Sequence, residues 1–209
     1  MEIILTIFSL LVLFFSVIIH EIAHGSVALS LGDPTAKMAG RLSLNPVKHI
    51  DPFGSIILPL LLFVATAGQG PIFGWAKPVP VNPYNFRDKK WGNLKVSLAG
   101  PGTNLLISLF FGLILRFISI PQSLYALFSI IIIYNIILAI FNLIPIPPLD
   151  GSHILFSFLP DRSFYSFKMF LQQYGFFILL FLIFFGLDWI FNFSAWLYNF
   201  IVNFPLPFL

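Results

Sequence analysis

The 209-residue chain has no cysteine, so disulfide bonds and thiolate metal sites are both excluded. Charge is nearly as scarce: only 9% of the residues are Asp, Glu, Lys or Arg, against about 25% in a soluble globular domain. There is no internal repeat at a fixed period and no low-complexity linker. The formal charge of +3 is small, and the basic residues form no stripe of the kind that tracks a nucleic acid, so no nucleic-acid partner is expected. They read instead as topology signals. The start carries Glu2 rather than a basic region, and no small-residue cleavage site follows the first apolar run, so that run is expected to be retained in the mature protein.

What the chain does have is hydrophobic length. Some 58% of its residues are hydrophobic, with long apolar runs at Ile3–Ile19, Leu105–Ile120, Leu124–Ile144 and Phe176–Leu187. Such runs define an integral membrane protein. At this length one membrane-embedded domain, 1–209, fills the sequence, with a core over 1–155 and C-terminal helices over 164–203, and leaves no room for a soluble sensor domain. The sixteen prolines concentrate at Pro71–Pro83 and Pro145–Pro148, with a few more near the C-terminus. Non-helical backbone of this kind at membrane depth must be buried in protein or line a wet cavity.

The chemistry-bearing motif sits at the end of the first apolar run: His20-Glu21-Ile22-Ala23-His24-Gly25. Histidines at i and i+4 project from one helix face and can share one metal ion. Glu21 lies about 100° round the helix from His20, beside the place of a metal-activated water, where it can serve as general base. Gly25 allows the helix to end or another backbone to approach. An acid and two histidines inside a membrane segment are costly and need partners or water, which argues against a chance match. Catalytic zinc usually takes three protein ligands. Asp150 is the acid placed to be the third, because Pro145, Pro147 and Pro148 break the preceding helix and Gly151 permits a turn back into the bundle. The plainer role for Asp150 is a helix cap.

The combination of HEIAH with Asn142…Pro145…Leu149-Asp150-Gly151 resembles the site-2 protease family of intramembrane zinc metalloproteases. Gly40–Pro46 (GRLSLNP), Gly74–Pro83 (GWAKPVPVNP) and Ala99–Asn104 (AGPGTN) also resemble its small members, and the likeness covers about residues 16–155. The PDZ and CBS domains of some relatives are absent. The resemblance implies one zinc ion per chain, held by His20, His24 and Asp150. It also implies transmembrane protein substrates in the lipid bilayer, cut within or near their spans. Asn142 is the first candidate for the donor that stabilises the oxyanion, with Asn104 second; either could instead bridge helices. His153 could stand behind the ligands or at the surface, and His49 receives no role.

For His20, His24 and Asp150 to share one depth, the helices that lead to them must run parallel, separated by an even number of crossings. Lys95–Ile120 and Leu124–Ile144 supply two. Phe53–Ala67, fifteen residues interrupted by Pro59, is therefore expected to be re-entrant or interfacial, being shorter than the ~20 residues a span needs. Charge agrees: with this dip, ten of the eleven Lys and Arg residues share one side and only Arg116 lies opposite. The positive-inside rule then puts the N-terminus outside and the active site toward the cytoplasm of a multi-pass cell-membrane protein. The expected fold is all-α and polytopic, with about five transmembrane helices, Trp189–Val202 being the one that could lie in the interface instead. Short β-strands are expected at Lys37–Asn45 and Lys77–Val81, where an unwound substrate could add as a strand. Two other readings stay open: a membrane zinc metallopeptidase acting on other peptides, and a non-catalytic metal transporter or scaffold.

Overall fold

A computed structural model describes residues 2–67, 69, 74–204 and 206. Gly70–Phe73, part of the stretch expected to line a wet cavity, lie outside the described residues. The elements run in order α1 (Glu2–Ser30), α2 (Thr35–Met38), a 3-10 turn at Pro46–His49, a π-helical turn at Pro52–Ile57, α3 (Leu58–Ala65) and a second 3-10 turn at Pro83–Asn85. Then follow α4 (Gly92–Phe117), α5 (Gln122–Asn142), α6 (Asp150–Phe158), α7 (Asp161–Phe185) and α8 (Leu187–Val202).

Among the described residues, four helices are long and apolar enough to cross a membrane, within α1, α4, α5 and α7. The chain is thus a multi-pass, all-helical membrane protein. The expected fifth span is a helix of 16 residues, roughly 24 Å long at 1.5 Å per residue and shorter than a bilayer core of about 30 Å. The Pro52–Ala65 segment is shorter still. Its start is fixed by Asp51, whose carboxylate accepts from the Gly54 N–H at 2.7 Å. Pro59 lies midway along the continuous Pro52–Ala65 helix, one residue past the point where the π-helical turn passes into α3.

The bundle is held where small or branched side chains let helices approach. In α4, Ser97, Gly100, Asn104, Ser108 and Gly112 are buried against its neighbours, and a side chain at Gly112 would collide with Ile201 of α8. Close approach of this kind replaces the hydrophobic driving force that helices lack inside lipid. Ile132, Ile136 and Ile140 of α5 pack with Leu179 and Ile183 of α7 and with Ile190, Tyr198 and Val202 of α8 in one apolar cluster.

No strand is present among the described residues, which corrects the expectation at both places. Over Lys37–Asn45, residues 35–38 are helical instead, and Gly40 closes that helix with φ +63° while the Arg41 N–H returns to the Ala36 carbonyl. A left-handed glycine ends the helix and overrides the alternating pattern. Lys77–Val81 forms no strand either, and its prolines favour an extended path. Pro78 and Pro80 have no N–H to give, and the Val79 N–H goes to the Glu21 carboxylate at 2.7 Å. No donor is left over Pro78–Pro80 for an added strand.

Asp33 anchors the loops that connect α1 to α4. Wholly buried, it accepts from the Asn82 N–H at 2.7 Å, the Asn85 amide at 2.8 Å, the Thr35 N–H at 3.1 Å and the Thr35 hydroxyl. Burial pushes its carboxyl up, but these donors outweigh burial and hold it below the ordinary aspartate value.

Candidate metal centre

α1 runs unbroken past His20 and His24 to Ser30. Gly25 does not end the helix; it admits the loops, since a Cβ there would lie 2.6 Å from Leu42 and 2.9 Å from Val79. Ser16, His20 and His24 follow at intervals of four and so line one helical face. Asp150 opens α6, with Leu149 at the cap position and no side-chain capping bond. Its carboxylate turns instead to the histidines.

The structure brings His20, His24 and Asp150 together. The two Nε2 atoms are 3.0 Å apart, and each lies 3.1 Å from Asp150 Oδ2. Both histidines are buried, and Asp150 Oδ2 is buried with no hydrogen-bond partner. The far side of each ring decides what this triangle is. His24 Nδ1 meets the Val96 carbonyl at 2.7 Å, and His20 Nδ1 meets Asn104 Oδ1 at 2.9 Å. Oxygen acceptors require an N–H opposite them, so the neutral rings carry their protons on Nδ1 and present bare Nε2 lone pairs inward.

The Asn104 assignment is itself fixed. The Asn135 amide donates to the Ile131 carbonyl at 2.8 Å and to Ser16 Oγ at 2.9 Å, leaving Asn135 Oδ1 to receive the Asn104 amide at 3.1 Å. Asn104 Oδ1 must then face His20. Two lone pairs and a carboxylate oxygen thus converge with no proton among them, an arrangement that a cation satisfies. Tetrahedral ligation at about 2.0–2.1 Å sets ligand atoms about 3.3 Å apart, close to the separations observed, so the three residues could hold zinc. Gly100 makes the triangle possible: a Cβ there would sit 2.6 Å from His20 Nε2 and collide with His24.

Glu21 is half-buried beside this centre with one carboxylate oxygen bound to the Val79 N–H. Asn142 makes no hydrogen bond to the three ligands; its amide donates to the Leu138 carbonyl of its own helix at 2.9 Å. Asn104, ranked second as a donor, instead orients His20. His153 lines a polar recess with Lys90, Asn93 and Lys168. His49 is buried, with Nε2 2.8 Å from the Ser43 carbonyl. Sequence reasoning missed Ser16, Asn135 and Val79. A polar side chain in the middle of an apolar helix marks Asn135, and the spacing of four from His20 marks Ser16. No sequence signal marks Val79.

Comparison with known proteins places these features in context. The family described as Peptidase family M50 matches residues 116–182, a stretch that holds Asp150. Over 150 residues the chain is 43% identical to "Putative zinc metalloprotease YwhC" of Bacillus subtilis, covering 68% of this chain and 64% of that protein. Over 189 residues it is 30% identical to "Putative zinc metalloprotease Rip2" of Mycolicibacterium smegmatis, covering 88% of this chain and 70% of the relative. "Zinc metalloprotease MJ0392" of Methanocaldococcus jannaschii is 27% identical over 154 residues, and the matched part is 34% of its length. No solved structure matches the chain significantly.

Proposed function

The chain belongs to peptidase family M50, and from that premise we propose that it is an intramembrane zinc endopeptidase that hydrolyses peptide bonds within or near the transmembrane segments of other membrane proteins. The observation that carries the reading is the triangle of His20 Nε2, His24 Nε2 and Asp150 Oδ2, with both ring protons held on the outer nitrogens. In this reading His20, His24 and Asp150 would hold one zinc ion per chain, and zinc held there would supply Lewis acidity toward water and the scissile carbonyl.

The chain's own groups do the rest. With Oε2 held by the Val79 N–H, Glu21 keeps its other oxygen for the proton of the attacking water, which it then delivers to the leaving amine. Of the two hydrogens on Asn142 Nδ2, one is committed to Leu138, which fixes the amide, and the second is assigned to the developing oxyanion. A helical substrate hides its carbonyls in its own hydrogen bonds and must unwind to react. The extended Lys77–Val81 stretch beside Glu21 is a surface against which it could lie, held by side-chain contacts and carbonyls rather than by strand addition.

We further infer that Pro52–Ala65 dips into the membrane without crossing, so that ten of the eleven basic residues and the metal centre lie on the cytoplasmic side and the N-terminus lies outside. The test combines metal analysis of the purified protein with cleavage of single-pass membrane substrates. Glu21→Gln should keep its zinc and lose cleavage, Asp150→Ala should lose both, and Asn142→Ala should lower kcat with zinc retained. A Glu21→Gln protein that cleaves like the parent, or a parent without stoichiometric zinc, refutes the assignment.

A further inference from the structure

Arg41 is a buried cation, only 7% exposed, and no carboxylate lies within salt-bridge distance of it among the described residues. Its Nη2 donates to the carbonyls of Lys77 at 2.5 Å and Pro78 at 3.3 Å, while its Nε–H has no acceptor. A full positive charge withdrawn from water is costly unless an anion compensates it. The same side chain lines a cavity of about 490 Å³ together with Lys48, Lys77, Val47, Ile50 and Pro80, and no acid is among the lining residues. Three basic residues therefore line one recess with no acid in its wall, and the Lys48 ammonium is held at its edge by the Gly40 carbonyl at 2.9 Å.

The surroundings narrow the class of anion. Val47, which lines the recess, is 74% exposed, and Met38, at the end of α2, and Leu44, in the loop after it, are also exposed. Exposed apolar side chains in the same 38–47 stretch as a cationic recess, one of them in its wall, suit the boundary between headgroups and acyl chains. We propose that this recess binds a phosphate group, carried by the headgroup of an anionic phospholipid whose chains lie against Val47, Leu44 and Met38. Arginine and lysine together provide the forked and point-charge donors that phosphate oxygens accept, and basic pockets beside transmembrane helices are recurrent headgroup sites.

The recess is wired to the metal centre. Arg41 holds the Lys77 and Pro78 carbonyls, and the next N–H along the chain, that of Val79, holds Glu21. A phosphate on Arg41 and Lys77 fixes this extended backbone and with it the Glu21 carboxylate. The site stands independently of the proteolytic reading, because it can be occupied whether or not the triad cleaves peptides.

The test uses the full chain in micelles holding equal amounts of phosphatidylglycerol and phosphatidylcholine, with retained lipid counted by native mass spectrometry. The parent should retain one phosphatidylglycerol with about a tenfold preference, and the Lys48→Gln/Lys77→Gln double variant should lose that preference. Lys37→Gln, an exposed cation outside the recess, should retain it. Lys77→Gln alone serves if the double variant does not fold. Equal retention of the two lipids, or an unchanged preference in the Lys77 variant, overturns the site. Amide exchange at Val79 in phosphatidylcholine nanodiscs then identifies the source. Slowing on addition of phosphatidylglycerol alone assigns the lipid, slowing by millimolar inorganic phosphate assigns the free ion, and no slowing by either overturns the proposal.

Discussion

Substituting Gly100 by alanine sets two physical effects against each other. In a helix interior Ala is favoured over Gly by about 1 kcal/mol, so by propensity alone α4 gains stability. The added methyl, however, would lie 2.6 Å from His20 Nε2 and 2.5 Å from His20 Cε1, and would also collide with His24 Nε2. Ordinary carbon contacts begin near 3.4 Å, so a ring must retreat by roughly 0.8 Å, against the ±0.2 Å that metal–ligand distances tolerate. The atoms displaced are the ligating nitrogens themselves. Loss of one ligand from three should weaken zinc binding by at least about 100-fold, equivalent to about 2.7 kcal/mol. Competition titration against a chelator reads the affinity, and thermal unfolding of the metal-free protein reads the fold. Gly102→Ala is the matched control, since a Cβ at Gly102 has nothing within 4 Å. If Gly100→Ala binds zinc within about threefold of the parent, the two histidines do not face α4 as described and the centre must be redrawn.

Two further outcomes follow from the hydrogen-bond networks. Asn104→Leu removes the acceptor for His20 Nδ1–H and should cost about 10–100-fold in zinc affinity, while Asn104→Asp, which keeps an acceptor there, should retain most of it. A leucine variant with parental affinity would show that the Asn135–Asn104 chain does not orient the ring. Asp33→Ala leaves several donors without their acceptor and should destabilise the protein by about 3 kcal/mol in a thermal melt. Because the Asp33 carboxyl is held below its ordinary value, its contribution is complete above about pH 3.9 and is lost as pH falls through the lower folded-state value. The difference in Tm between the parent and Asp33→Asn should therefore shrink on acidification; a constant difference would contradict the charged network.

The apolar spans, and the meeting of His20 and His24 with Asp150, were legible because each starts from a local pattern with a strong cost attached. Ile3–Ile19 could only be a span, and His20 and His24 in such a run need a partner. Asp150 was singled out by the prolines before it and Gly151 after it; the demand that the three share a depth then led to the expectation that Phe53–Ala67 does not cross. The loops were not legible. Alternation at Lys37–Asn45 suggested a strand, whereas Gly40 in a left-handed conformation and the Arg41 clamp on the 77–78 carbonyls decide the actual path. Those are contacts between segments some 36 positions apart, which periodicity does not register. Asn104 was recognised as polar at depth, but its task depended on Asn135 and Ser16, one on another helix and one a turn before His20, and only the packed bundle sets their sequence of donors and acceptors.

The separation of the ligands along the chain has a consequence for biogenesis. His20 and His24 lie on α1, and Asp150, with which they could hold a metal, follows only beyond α4 and α5. At translation rates of 5–20 residues per second, roughly 6–25 s pass between them. During that interval the nascent helix carries an unfinished centre: its histidine rings lack the Val96 and Asn104 acceptors that set their protons, and Asp150 has not been made. On the proposed reading, the protein would therefore stay latent until its bundle has closed around His20, His24 and Asp150.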